Sequence, residues 1–378
     1  MRVLIAPNNF KESISANDAA DAIKQGLLAA NPSINTNCLP LSDGGEGFVK
    51  ALVAATGGSI IDVRVSDPLG RQIDTYYGVI HQKTAVIEMA LASGLELIRE
   101  QERDPWMTTT YGTGELIKDA IDRGYKNIII GLGGSATNDA GMGMIQALGG
   151  VFYDKDARVL GQGAKFLDQV KDADIIKFRR KTKRVRFIAA CDVTNPLIGQ
   201  RGATYVYGPQ KGAGPEALER LENGVVRYSE HVNAMMSLDY TRYPGAGAAG
   251  GLGYALLTFM RARLIPGFDL VADYTDLKMK IQQADLIITG EGKIDAQTME
   301  GKTIARLTRL AKKHKKPIVA LAGRVDDDID LNGKGIERLL TITDRAKNEQ
   351  DALQNAGYHL KLLAQEIGES LFKISDSR

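Results

Sequence analysis

Cysteine is scarce in this chain: Cys38 and Cys191 are the only two among 378 residues. That excludes a disulfide framework and a clustered Cys/His zinc site, and it suits a reducing compartment. Histidine is nearly as rare, and His81, His231, His314 and His359 all fall outside the polar clusters described below. A histidine-based triad or a His-ligated metal is therefore not expected. No apolar run approaches the ~18–20 residues of a membrane span, and the opening MRVLIAPNNF is too short in apolar residues for a secretion signal. Neither sign of charge is in excess: the net value is +2, with no pull toward nucleic acid or a membrane surface. The basic runs RRKTKR (179–184) and KKHKK (312–316) lack interleaved aromatics and read as solvated surface. A cytoplasmic α/β enzyme is expected, monomer or homodimer, with a small molecule as its partner.

What remains is long enough for two domains. RVLIAP leads into ANDAADAIKQGLLAA, where Ala19, Ala22, Ile23, Gly26 and Leu27 recur at three and four, and INTNCLPL leads into EGFVKALVAATG. Near the other end ADLIITG, KPIVALAG and IERLLTIT are strands separated by helical stretches. This alternation predicts a Rossmann- or flavodoxin-like parallel sheet with helices on both faces, formed by residues 1–64 plus 279–378. Between them, SIIDVRVSDPLGRQIDTYYGVIHQKTAVIEMA reads as three strands with tight turns, followed by the strands NIIIGLGG and VRFIAACD with helices between. Residues 65–278 are expected to be an inserted mixed α/β domain, with the active site in the cleft at the junction.

Glycine is abundant at 41 residues, and it is clustered. GAGAAG (245–250) satisfies G-x-G-x-x-G, but DYTRYP before it is not a buried strand, so a dinucleotide site is disfavoured while anion binding stays open. MEGKT (299–303) ends like a P-loop, yet Ala296 stands where its first glycine belongs. GLGGSATNDAGMGM (131–144) is better placed, directly after the buried run NIII. Gly131, Gly133 and Gly134 would let backbone amides converge at a strand's carboxyl end, and Thr137, Asn138 or Asp139 could cap the next helix.

Polar groups recur at other strand ends. LSDGGEG places Asp43 and Glu46 three apart, either as paired carboxylates for magnesium or a sugar-like hydroxyl, or as a capping box. ITGEGKIDAQT supplies Gly290, Glu291, Gly292, Lys293 and Asp295; CDVTNPL supplies Asp192, YGPQKGA Lys211 and NNFKES Lys11. Carboxylates, lysines and glycine turns without histidine suit phosphoryl transfer, where Lys and magnesium neutralise phosphate charge and an Asp takes the hydroxyl proton.

These segments, with YGTGELI, CDVTNPLIGQRGAT, GAGAAGGLG and ITGEGKIDAQTMEGK in the same order, make nearly the whole chain resemble the type I glycerate kinases. The resemblance implies two α/β domains and phosphorylation of D-glycerate to 2-phosphoglycerate with ATP and Mg2+. It implies Lys11, Asp43 and Asp192 as catalytic, with Glu46, Ser135, Thr137, Asn138 and Lys211 on the substrate. Gly133, Gly134, Gly290, Glu291, Gly292 and Lys293 would face the nucleotide, and Asp192 and Asp295 the metal. One departure stands out: the family's usual P-D-S-F-K-G is here Pro7-Asn8-Asn9-Phe10-Lys11-Glu12, so an amide replaces a carboxylate at position 8 and cannot act as base. Asp43 or Asp192 is then the expected base. A kinase giving 3-phosphoglycerate or using another hydroxy acid, a sugar-acid sensor and a nicotinamide dehydrogenase are the alternatives.

Overall fold

A computed structural model describes residues 1–10, 12–42, 44–295, 303–326 and 335–375. Two compact units share the chain: Met1–Asp43, Lys50–Thr56 and Phe268–Arg378 form one, Gly44–Val49 and Gly57–Gly267 the other. The first unit opens with β1 (Arg2–Pro7) and β2 (Asn35–Cys38). The second contributes β3 (Ser59–Ser66), β4 (Gln72–Ile80), β5 (Thr84–Glu88), β6 (Asn127–Gly131), β7 (Val151–Tyr153), β8 (Asp172–Asp174), β9 (Arg186–Ala190) and β10 (Arg263–Ile265). The chain then returns for β11 (Leu286–Ile294), β12 (Ile318–Val325) and β13 (Arg338–Thr341).

In the first unit the sheet order is β13-β12-β11-β1-β2, every pairing parallel. Counted within that sheet alone, the order is 2-1-3-4-5, the flavodoxin-like arrangement, with the second unit emerging between its second and third strands. β1 and the first half of β11 are buried on both faces, as apolar strands of a parallel sheet covered by helices must be. The helices Ala16–Ala30 and Ala356–Ser375 share one core with this sheet, through Ile23 and Leu27 on one and Leu360, Leu363 and Ile367 on the other. Ser15 caps the first of these helices by accepting from Asp18 N, and Asn9 Oδ1 accepts from Ala16 N at 2.7 Å.

The six-stranded sheet of the second unit runs β10-β9-β6-β5-β4-β3. β3, β4 and β5 form an antiparallel meander, whereas β5, β6, β9 and β10 are parallel. Because β3 pairs along its whole length with β4, the expected boundary at 64/65 falls inside a strand of the second unit. The other expected boundary, at 278/279, falls inside the helix Leu277–Gln283 of the first unit. Both basic runs sit where expected, at exposed helix ends: 179–181 close the helix Ile176–Thr182, and Lys312 and Lys313 close Thr303–Lys313. Among the described residues no helix is long and apolar enough to cross a membrane.

Candidate active site

The parallel half of the second unit's sheet lines up three strand ends. Glu88 of β5 is registered with Gly131 of β6, and Gly131 with Ala190 of β9. Ligands gather beyond the carboxyl ends of parallel strands, where side chains and loop amides project past the last ladder bonds. Three sequence stretches leave from this row: 89–94, 132–139 and 191–197. The turn 44–49 crosses the same row. Gly133 N donates to Gly44 O at 3.2 Å, and a Cβ on Gly44 would lie 2.7 Å from that of Ala190. A Cβ on Gly131 or Gly133 would run into the main chain of Gly44 or Gly45. Glycine is therefore needed in both stretches for them to cross. This revises the reading of the Gly133 amide, which serves the turn 44–49 rather than pointing outward to a phosphate.

The polar segment after Gly134 is built inward. Lys211, placed by the turn Pro209–Lys211, is 1% exposed, and its Nζ donates to Ser135 Oγ at 2.8 Å and to Thr137 O at 2.7 Å. Burial pulls the ammonium down to about 7, while the negative Asp139 favours its charge. Asn138 donates to Thr204 Oγ1 at 3.1 Å; Asn138 Oδ1 and Thr137 Oγ1 are buried without a hydrogen-bond partner among the described residues. Ser135, at 8% exposure, is the member of this group nearest the surface.

Asp139 is the anchor beneath them. Its fully buried carboxylate accepts from Thr110 N (2.8 Å), Thr110 Oγ1, Thr109 Oγ1, Gly141 N and Gly143 N. Burial pushes the carboxyl above its ordinary pKa, against these donors, which favour the anion. The helix Met142–Ala147 starts after Gly141, so its first turn is served by Asp139 from two positions before the N-cap, not by an N-cap side chain. Thr109 and Thr110 were missed by sequence reasoning; the run TTT directly before the helix Tyr111–Asp122 was their signal. Glu88 was missed too. It interrupts the apolar stretch TAVIEMA and accepts from Gly47 N at 3.1 Å and Val49 N at 3.3 Å. Burial pushes this carboxyl up to about 7, opposed by those two amides and reinforced by the nearby Glu46.

The carboxylates at the surface of this edge are Glu46, in the turn, and Asp192, just beyond β9; both are exposed. Asp192 Oδ1 accepts from Gly267 N at 3.2 Å. The alternative of a capping box at 43–46 does not fit a helix that begins at Phe48, with Glu88 taking the amides at its start. GAGAAG is no phosphate loop after a strand. It is a turn running into Ala248–Met260, with Ala249, Gly250 and Gly251 left-handed and Gly250 O accepting from Ala140 N at 3.0 Å.

In the first unit, the residues expected in a turn after ADLIITG continue the strand instead. β11 runs on through Gly290, Glu291, Gly292 and Lys293 because β12 stays beside it, with Glu291 opposite Ala322 and Lys293 opposite Arg324. Glu291 is buried there, and Lys293 Nζ pairs with Asp326 at 2.7 Å. Asp295 follows the strand, partly buried. Asn8 N donates to Gly290 O at 2.8 Å, between β1 and β11, where the strand order of this sheet reverses. Lys11, Asp43 and residues 299–302 of MEGKT lie outside the described residues.

With this geometry in hand, residues 3–372 match the model described as the Glycerate kinase family. A Bacillus subtilis protein named glycerate kinase is 43% identical over 373 residues, covering 98% of each chain. One from Escherichia coli named glycerate 2-kinase is 41% identical over 358 residues, 94% of each chain. A crystal structure from Salmonella typhimurium LT2, described under the name glycerate kinase 2, is 41% identical. It superposes with a TM-score of 0.87 over 100% of this chain and 99% of that one.

Proposed function

The chain belongs to the glycerate kinase family, and from that premise we propose that it transfers the γ-phosphoryl group of ATP to D-glycerate, giving 2-phosphoglycerate. One observation on this chain carries the reading: the turn 44–49, the segment 133–135 and Asp192 meet at one row of parallel strand ends. Exposed carboxylates there, above a buried and hydrogen-bonded floor, suit a small hydroxylated substrate whose hydroxyl must be oriented and deprotonated.

Within that reading Asp192 or Asp43 accepts the hydroxyl proton, and Glu46 takes a hydrogen bond from the substrate. Ser135, Thr137 and Asn138 form the wall beside it. Lys211 is buried on that wall, so it acts by fixing Ser135 and the Thr137 carbonyl. Lys11 is assigned to phosphate. Gly290, Glu291, Gly292 and Lys293 are assigned to the nucleotide side, with Gly133 and Gly134 contributing close backbone. Mg2+ commonly takes one or two carboxylates and fills its remaining positions with water and phosphate oxygens. Asp192 and Asp295, each a carboxylate that is not fully buried, are assigned to the ion. The ion would supply neutralisation of the phosphate charge.

The test is product identification. D-Glycerate and ATP incubated with the chain should yield a product whose phosphorus couples to the single proton at C2. Coupling to the two C3 protons would replace 2-phosphoglycerate by 3-phosphoglycerate, and no ADP release with D-glycerate would remove the substrate assignment. Asp192→Asn should lower kcat by roughly 10²-fold or more if Asp192 is the base. Unchanged kcat would leave that role to Asp43.

A further inference from the structure

We propose that Glu88 is a positioning residue for this reaction: its two carboxylate oxygens hold the Gly44–Val49 turn, and with it Glu46, against the strand ends that carry Ser135 and Asp192. The proposal rests on the kinase reading of that edge. Its physical basis is the way polar contacts pin a glycine-rich turn. Three of its six residues are glycine and Glu46 is exposed, so side-chain packing begins only at Phe48 and Val49. Glycine-rich backbone loses the most freedom on ordering, so such a turn keeps one shape only where polar contacts impose it. At its start Gly44 O accepts from Gly133 N, within it Gly45 O accepts from Phe48 N, and at its end Glu88 Oε1 accepts from Gly47 N and Oε2 from Val49 N.

Glu88 is an expensive residue to use for this. It is 2% exposed and stands between Ile87 and Met89, both fully buried. A carboxylate in such a place is tolerated when both oxygens are ligated. A neutral carboxylic acid keeps one carbonyl acceptor, while its O–H is a donor set against the second amide, itself a donor. Among the described residues, the charged group facing Glu88 is Glu46, from the turn. β6 presents the main chain of Gly131, and the helix Phe48–Thr56 the amides of Phe48 and Val49. Like charge and burial both favour protonation, so the hold on the turn weakens as pH falls through about 7.

The experiment follows exchange of backbone amides in the peptide covering 44–52 by mass spectrometry. It uses the whole chain at pH 6 and pH 8, corrected for intrinsic exchange, in wild type and in Glu88→Gln. Wild type should lose about tenfold in protection from pH 8 to pH 6, the weight of one hydrogen bond to a charged group. Glu88→Gln, with one acceptor and a misplaced donor, should be weakly protected at both pH values. Its KM for D-glycerate should rise at least fivefold, with kcat less affected and the acidic limb of kcat/KM near pH 7 gone. Glu88→Asp should recover part of the protection at pH 8. A wild-type peptide without a pH step, or a Glu88→Gln protein with wild-type protection and pH profile, would overturn the proposal. Should Glu88→Gln not fold, the wild-type pH comparison decides alone. Exchange is read without turnover, so a chain that does not phosphorylate glycerate would remove the proposed function and leave this measurement standing.

Discussion

Lys211 Nζ lies 2.7 Å from the main-chain oxygen of Thr137, with both residues buried and Ser135 Oγ as a second acceptor. The ammonium is a support under the segment that follows β6. Burial depresses its pKa from 10.5 to about 7 in the folded chain. Between those values the unfolded chain binds more protons, so this group's contribution to stability rises with pH. It is fully present above about 10.5 and is lost as pH falls through about 7. Lys211→Met should remove that slope. Urea midpoints of the two proteins at pH 7, 8 and 9 should show the wild type gaining relative to the variant as pH rises; parallel curves would contradict the assignment.

Neighbouring hydroxyls on this segment should respond in opposite ways. Ser135→Ala strips Lys211 of an acceptor and should cost about 1–3 kcal/mol, because a buried charge loses a hydrogen bond. Thr137→Val replaces a buried hydroxyl that has no partner among the described residues with a methyl of the same shape, and should leave stability within about 0.5 kcal/mol. Denaturant titration of both variants checks the contrast, and equal losses would refute it.

Asp139→Asn should be the most damaging substitution of the group. The carboxylate serves donors from Thr109, Thr110, Gly141 and Gly143, and an amide offers one oxygen and two unwanted N–H groups in their place. Leaving buried donors unmet makes a loss of roughly 3 kcal/mol the expectation. The check is a shift in the urea midpoint with unchanged m-value; a loss under about 1 kcal/mol would show that the carboxyl is already protonated at neutral pH.

These relations separate what the sequence shows from what only folding decides. RVLIAP, NIII and ADLIIT are legible as strands because parallel strands buried on both faces are continuous apolar runs. GEGK is not legible as strand: glycine and charge end the apolar run, and only β12 alongside, with Ile294 opposite Val325, keeps the backbone extended. SIIDVRVS shows the alternation of a half-buried strand, but which unit it joins is decided by its pairing with β4. In the site, Ser135, Thr137 and Asn138 stand out as one polar motif. The reach of Glu88 across 41 residues to Gly47, and of Lys211 across 76 to Ser135, follows no spacing rule, because tertiary packing alone brings them together.

Gly44 offers the most direct test of the crossing between the turn and the strand ends. Its φ is +87°, and an added Cβ would meet both the Cβ and the carbonyl oxygen of Ala190. Gly57 has a comparable φ of +63° with nothing within 4 Å of its would-be Cβ, so it isolates backbone strain from overlap. Gly57→Ala should cost about 1 kcal/mol and leave kinetics unchanged. Gly44→Ala carries the same strain plus an overlap with the Ala190 Cβ, which has no torsion by which to swing aside, and should cost about 1–3 kcal/mol more. It should also push the turn 44–49 off the strand ends, lowering kcat/KM at least tenfold, since small displacements of a positioned group cost rate steeply. Adding Ala190→Gly to Gly44→Ala relieves the Cβ contact but not the carbonyl contact, so it should restore part of the activity and little of the strain. Equal stability losses at positions 44 and 57, with equal kinetics, would mean that the turn does not cross the end of β9 as closely as Ala190 indicates.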